Sequence, residues 1–219
     1  MRIELPSGTE AELAQVDAPT RGLVIIPDIW GLRPLFDDLV ARLSSEHGWN
    51  VVAIEPFPGR ELPDGNVAAR FAAVPSLEDD RLLGDAVAAA DRLGVEPVGC
   101  IGFCMGGMYV HKAAATGRFD RLVSFYGMIR IPPDWVGPGH EQPLDALGRA
   151  SDPSSVLAVI GTEDPYTPAD DVAALGELRV QLAVYPEAEH GFVHDPSRPA
   201  HRPADAADAW SRAIAHLKG

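Results

Sequence analysis

The chain has 219 residues, 46% of them hydrophobic, which is enough to bury a substantial core and suits one large domain over 1–219 better than two small ones. A formal net charge of −14 argues against nucleic acid or an anionic membrane as partner, and it requires a local cation wherever an acid is bound. The first twenty residues carry Glu4, Glu10, Glu12 and Asp17 without the basic-then-apolar pattern of a secretory signal, and no later stretch is long enough to span a membrane. Extended backbone between Cys100 and Cys104 would hold their Cα atoms about 13 Å apart, beyond disulfide reach, so a reducing, cytoplasmic setting is expected.

In chain order, residues 2–5 and 10–16 alternate around Ser7-Gly8 and read as a short antiparallel hairpin. Then come the apolar runs 23–26, 51–54, 98–101, 122–125, 156–160 and 181–185, each ended by turn residues, as suits strands buried on both faces. Helical patterns fall between and after them, at about 34–46, 78–93, 106–116, 168–177 and 204–218, with Gly48, Gly94 and Gly117 near helix ends. This alternation predicts an α/β fold with a mostly parallel sheet, helices on both faces, and a ligand crevice at the carboxyl ends of the strands. The Pro- and Gly-rich stretch 127–153 is long for a plain connection and reads as a pocket wall or lid.

The run Gly102-Phe103-Cys104-Met105-Gly106-Gly107 joins a buried strand to a helix with the spacing of a nucleophile elbow, cysteine standing in the nucleophile's place. Glycines are needed there because the central residue is held in a strained backbone conformation and chain segments crowd around it. The sulfur then sits at a helix start, where amides and dipole favour a thiolate or a developing oxyanion. Cys100, on the strand itself, reads as a core residue, and the run lacks the second glycine of a dinucleotide loop.

A cysteine nucleophile acting on an ester needs a base, and the base needs an orienting acid. Gly161-Thr162-Glu163-Asp164-Pro165 follows the penultimate strand and Glu187-Ala188-Glu189-His190-Gly191 follows the last, so Cys104, Asp164 and His190 fall in the chain order of the elbow fold, with Glu163 as the alternative acid. His190 and His194 form HxxxH, but the glutamate of HExxH is missing and Gly191 disfavours a helix, so no metal site is expected.

These residues resemble the dienelactone hydrolase family, together with Pro27-Asp28-Ile29-Trp30-Gly31 after the first parallel strand and Phe125-Tyr126-Gly127. The likeness spans nearly the whole chain. It implies an α/β-hydrolase fold and hydrolysis of enol-lactones or related small esters through a thioester at Cys104, with no metal or organic cofactor; a monomer or small homo-oligomer is expected. It also implies an oxyanion hole from the backbone amides of Ile29 and Met105. In the family a glutamate in the first turn contacts the resting thiol, and Asp28 stands in its place, one methylene shorter. Family arginines bind a substrate carboxylate; one lies four residues past the catalytic histidine, where this chain has His194, and another matches Arg70, with Arg81 as rival. Trp30, Tyr126 and Phe192 are expected as pocket walls, with core packing an equal alternative. Beside a lactone hydrolase stand a broader esterase or thioesterase on the same three residues and a non-hydrolytic thiol sensor.

Overall fold

The computed structural model describes residues 1–60, 62, 63 and 65–219. Its eight-stranded sheet has the order β1-β2-β4-β3-β5-β6-β7-β8. The strands are β1 (Arg2–Glu4), β2 (Glu10–Ala14), β3 (Gly22–Ile26), β4 (Asn50–Ile54), β5 (Val98–Phe103), β6 (Leu122–Phe125), β7 (Val156–Gly161) and β8 (Gln181–Tyr185). The hairpin joins through β2, which pairs antiparallel with β4, and the strands β3 to β8 all run parallel to one another.

The helices are α1 (Pro34–His47), α2 (Val67–Ala73), α3 (Asp79–Arg92), α4 (Met105–Ala113), α5 (Pro143–Gly148), α6 (Ala169–Glu177) and α7 (Pro203–Lys218). α1 packs on β2 and β4 and α7 on β6 to β8, whereas α3 and α4 pack on β3 to β6 from the other face. The unbroken apolar runs follow from this covering of both sides: β3, β4, β5, β6 and β7 are buried at every position.

Three features differ from the sequence expectation. β8 is an edge strand, with no strand paired beyond it among the described residues, and its Leu182 and Val184 are exposed. α2 and α5 were not expected; at seven and six residues they are too short to display a helical period, and α2 announces itself only by Asn66, whose side chain accepts from the Ala69 amide at 3.0 Å. Met128 and Trp135 of the stretch after β6 do face a cavity, but its later part, α5, packs against α4.

Candidate active site

Cys104 sits between β5 and α4 with φ +56° and ψ −118°, outside the regions an L-residue ordinarily adopts. Two close approaches hold it there. A Cβ on Gly106 would lie 2.0 Å from the Ile26 carbonyl oxygen, and one on Gly102 would lie 2.3 Å from the Gly106 carbonyl oxygen, so the end of β3, the end of β5 and the start of α4 converge only where side chains are missing. The Cys104 amide donates to the Phe125 carbonyl at 3.0 Å, tying the elbow to β6.

Asp164 lies in the turn after β7 and is buried, whereas Glu163 beside it is exposed, so Asp164 is the acid that meets the histidine. Its Oδ1 accepts the Tyr166 amide at 2.8 Å and its Oδ2 accepts His190 Nδ1 at 2.7 Å. That bond leaves Nε2 of His190 as the nitrogen free for proton transfer; it is buried and has no hydrogen-bond partner among the described residues. Burial works against a charged ring, but negative charge at Cys104 and the bond to Asp164 outweigh it, and the His190 pKa is pushed up to about 10.

Cys104 and His190 line one cavity of about 160 Å³, together with Ile29, Trp30, Val67, Phe71, Met128, Trp135, Tyr166 and Arg198. The Ile29 amide donates to no group among the described residues, and Met105 opens α4, where an amide has no partner within the helix. Ile29 lies on the loop after β3 and Met105 at the start of α4, the two segments that approach closely at Gly106.

The remaining expected residues divide. Trp30 lines the cavity. Tyr126 is fully buried behind it, with its ring edge-on to His190 at 5.2 Å, and its hydroxyl is hydrogen-bonded to His194 Nδ1. Phe192 is no pocket wall: it is fully buried between Tyr126 and Tyr185. His194 is also turned inward, its Nε2 2.8 Å from Asp28. Asp28 does not reach toward the thiol; it is held by Arg33 at 2.6 and 2.9 Å, and the bonds from His194 and Arg33 keep its pKa far below the usual range although burial alone would raise it. Arg70 lies over Trp30 and donates to the Ile29 carbonyl at 3.4 Å, behind the wall rather than inside it. Arg81 is elsewhere, bonded to Asp85 and Thr9.

Among the described residues, Arg198 is the arginine that lines the cavity, and it was not among the residues expected from the sequence. It follows the turn capped by Asp195 and packs on Gly191, where an added Cβ would lie 2.6 Å from its Nη1. Eight residues past His190, it carried no spacing signal, and only the folding back of that turn brings it in.

No group of three or more His, Cys, Asp or Glu that would hold a metal ion occurs among the described residues, and no helix there is long and apolar enough to cross a membrane. A mostly parallel sheet whose elbow, acid and histidine follow the ends of β5, β7 and β8 defines an α/β-hydrolase. The model for the dienelactone hydrolase family matches residues 9–219, and the chain belongs to that family. A Bradyrhizobium protein assigned as a 2-oxo-3-(5-oxofuran-2-ylidene)propanoate lactonase is 27% identical, over 99% of this chain and 92% of its own length. The carboxymethylenebutenolidase of Pseudomonas putida is 26% identical over 82% and 78%. A solved chain from Klebsiella pneumoniae subsp. pneumoniae MGH 78578, assigned as a dienelactone hydrolase, superposes with a TM-score of 0.85 at 24% identity, covering 100% of this chain and 97% of its own. The protein is therefore a hydrolase of ester or lactone bonds, which leaves the thiol-sensor reading behind.

Proposed function

We propose that this hydrolase opens a small enol-lactone or cleaves a related carboxylic ester through Cys104, His190 and Asp164, by way of a thioester. The observation that carries the reading is His190, bonded to Asp164 through Nδ1 and sharing one cavity with the strained Cys104. With the sulfur ionised and the ring protonated, sulfur attacks the carbonyl carbon, and the amides of Ile29 and Met105 receive the oxyanion. Such donors contribute about 3 kcal/mol each. Collapse breaks the carbon–oxygen bond, and the leaving oxygen takes the proton from His190 Nε2.

Acylation also removes the negative charge that held the His190 pKa high. The ring is then a usable base: Nε2 takes a proton from water, the hydroxide adds to the thioester, and collapse returns the thiolate beside a protonated imidazole. The cavity of about 160 Å³ suits a small ring, and Arg198 offers the local cation a substrate carboxylate needs. The lactone named for the Bradyrhizobium relative is a propanoate.

Hydrolysis of a dienelactone should be lost in Cys104→Ala, and mass spectrometry of rapidly quenched wild type should find a substrate-sized adduct on Cys104. Retained turnover in that variant would overturn the mechanism. A second reading, a broader carboxylesterase or thioesterase on the same residues, is favoured by the apolar walls Ile29, Trp30, Val67, Phe71, Met128 and Trp135. It wins if neutral aryl esters are cleaved far better than anionic lactones and Arg198→Met leaves that preference unchanged.

A further inference from the structure

Asp28 immediately precedes Ile29, whose amide is the proposed oxyanion donor, so whatever fixes Asp28 aims that donor. The Asp28 carboxylate is saturated: Oδ1 accepts the Trp30 amide at 2.9 Å and Arg33 Nη1 at 2.6 Å, and Oδ2 accepts Arg33 Nη2 at 2.9 Å and His194 Nε2 at 2.8 Å. Two oxygens offer about four acceptor sites, so none is left over for the thiol. The Asp28 carbonyl accepts the Gly31 amide at 3.0 Å. In a planar trans peptide the N–H points opposite to the C=O, so this bond turns the Ile29 amide away from its own loop and leaves it free for a ligand. Arg70 holds the Ile29 carbonyl on the other side. A buried amide without a partner is costly, and the loop keeps one only because its neighbours are fixed so fully.

His194 is the piece that joins this loop to the rest of the site. It lies on the same turn as His190, its Nε2 bonds Asp28, and its Nδ1 bonds the hydroxyl of Tyr126, the residue that follows β6 with φ +42° and stands edge-on to the His190 ring. Loops after β3, β6 and β8 thus meet at one buried imidazole. Arg33 already compensates the Asp28 charge, and burial keeps His194 neutral, so its Nε2–H donates to Asp28 while Nδ1 accepts from Tyr126.

We propose that His194 is a positioning residue, holding the Asp28 loop so that the Ile29 amide is aimed at the oxyanion before substrate arrives. This rests on the Cys104 mechanism above, and it separates two reactions of one sulfur. Acylation builds an oxyanion and needs the amide; alkylation by iodoacetamide displaces iodide and builds none.

The test uses the full chain with p-nitrophenyl acetate, a neutral ester that makes no call on Arg198. In His194→Leu the acylation burst should slow by about tenfold or more, a part of the 10²–10³ that a lost donor costs, while alkylation of Cys104 stays within about twofold of wild type. His194→Gln, which can still donate to Asp28, should recover most of the burst rate. Tyr126→Phe removes one hydroxyl and should show the same split at smaller size, which keeps the test readable if His194→Leu does not fold. Parallel loss of alkylation and acylation, or an unchanged burst in both His194→Leu and Tyr126→Phe, would overturn the proposal. A wild type without any burst while iodoacetamide still labels Cys104 would instead sink the thioester mechanism.

Discussion

Cys104 and His190 are held by opposite kinds of restraint. The cysteine is held in a conformation its own side chain opposes, by backbone contacts that only glycines permit, whereas the histidine sits in ordinary geometry and is oriented by one bond to Asp164. The second restraint is removable without rebuilding the fold. Asp164→Asn should lower kcat by about 10²–10⁴, since the ring loses both its favoured tautomer and the partner for its charge. The same substitution removes one of the groups that raise the His190 pKa, so the alkaline limb of kcat/KM should move to lower pH. An unmoved limb would mean that another group sets it. The choice between Asp164 and Glu163 was not legible in the sequence: the two are adjacent acids on one turn, and which points inward depends on how the turn lies against the His190 loop, where the Glu163 amide meets the Ala188 carbonyl at 3.0 Å.

Among the elements, α4 has the heaviest duty, because its first turn shapes the elbow. It is secured at its far end by a buried ion pair: Lys112 Nζ donates to both oxygens of Asp79 at 2.7 and 2.8 Å, and Asp79 also accepts the Glu141 amide at 2.8 Å. α3, α4 and the segment before α5 are thereby fixed together. Lys112→Met should destabilise the protein by about 3–5 kcal/mol, since Asp79 is left buried with its charge uncompensated. Adding Asp79→Asn, which still accepts the Glu141 amide, should recover much of the loss; urea midpoints of the single and double variants decide it. The long helices and the strands were legible because each repeats its apolar period several times. α2 was not, although it carries Val67 and Phe71 to the cavity, because two turns leave too few positions for a pattern to stand out.

At the scale of the whole molecule, two buried neutral histidines set a pH dependence of stability. Burial pushes the His111 pKa down to about 4, and that of His194 down as well. A histidine titrates near 6.5 in the unfolded chain, so as pH falls below that value the unfolded state binds protons that the folded state refuses, and stability drops until the folded form titrates too. For His111 the window runs from about 6.5 to about 4. His111→Gln, which can keep the bond to Ser124, should flatten the fall of Tm across that window in thermal melts recorded pH by pH. A slope identical to wild type would show that His111 does not contribute. Asp28 behaves in the opposite way: its lowered pKa stabilises the fold above the ordinary carboxylate range, and that contribution is lost as pH falls below it.

The elbow, the placing of Cys104, Asp164 and His190 after their strands, and the succession of buried strands were legible in the sequence, since each is written in neighbouring residues: glycines where the backbone crowds, turn residues after apolar runs, one period per element. Only the tertiary structure decided what surrounds the sulfur. Arg198 rather than Arg70 or Arg81 faces the cavity, His194 turns inward to Asp28, and Phe192 joins the core. Those outcomes depend on where loops from distant strands meet and which way each turn directs its side chains, and no local pattern records that.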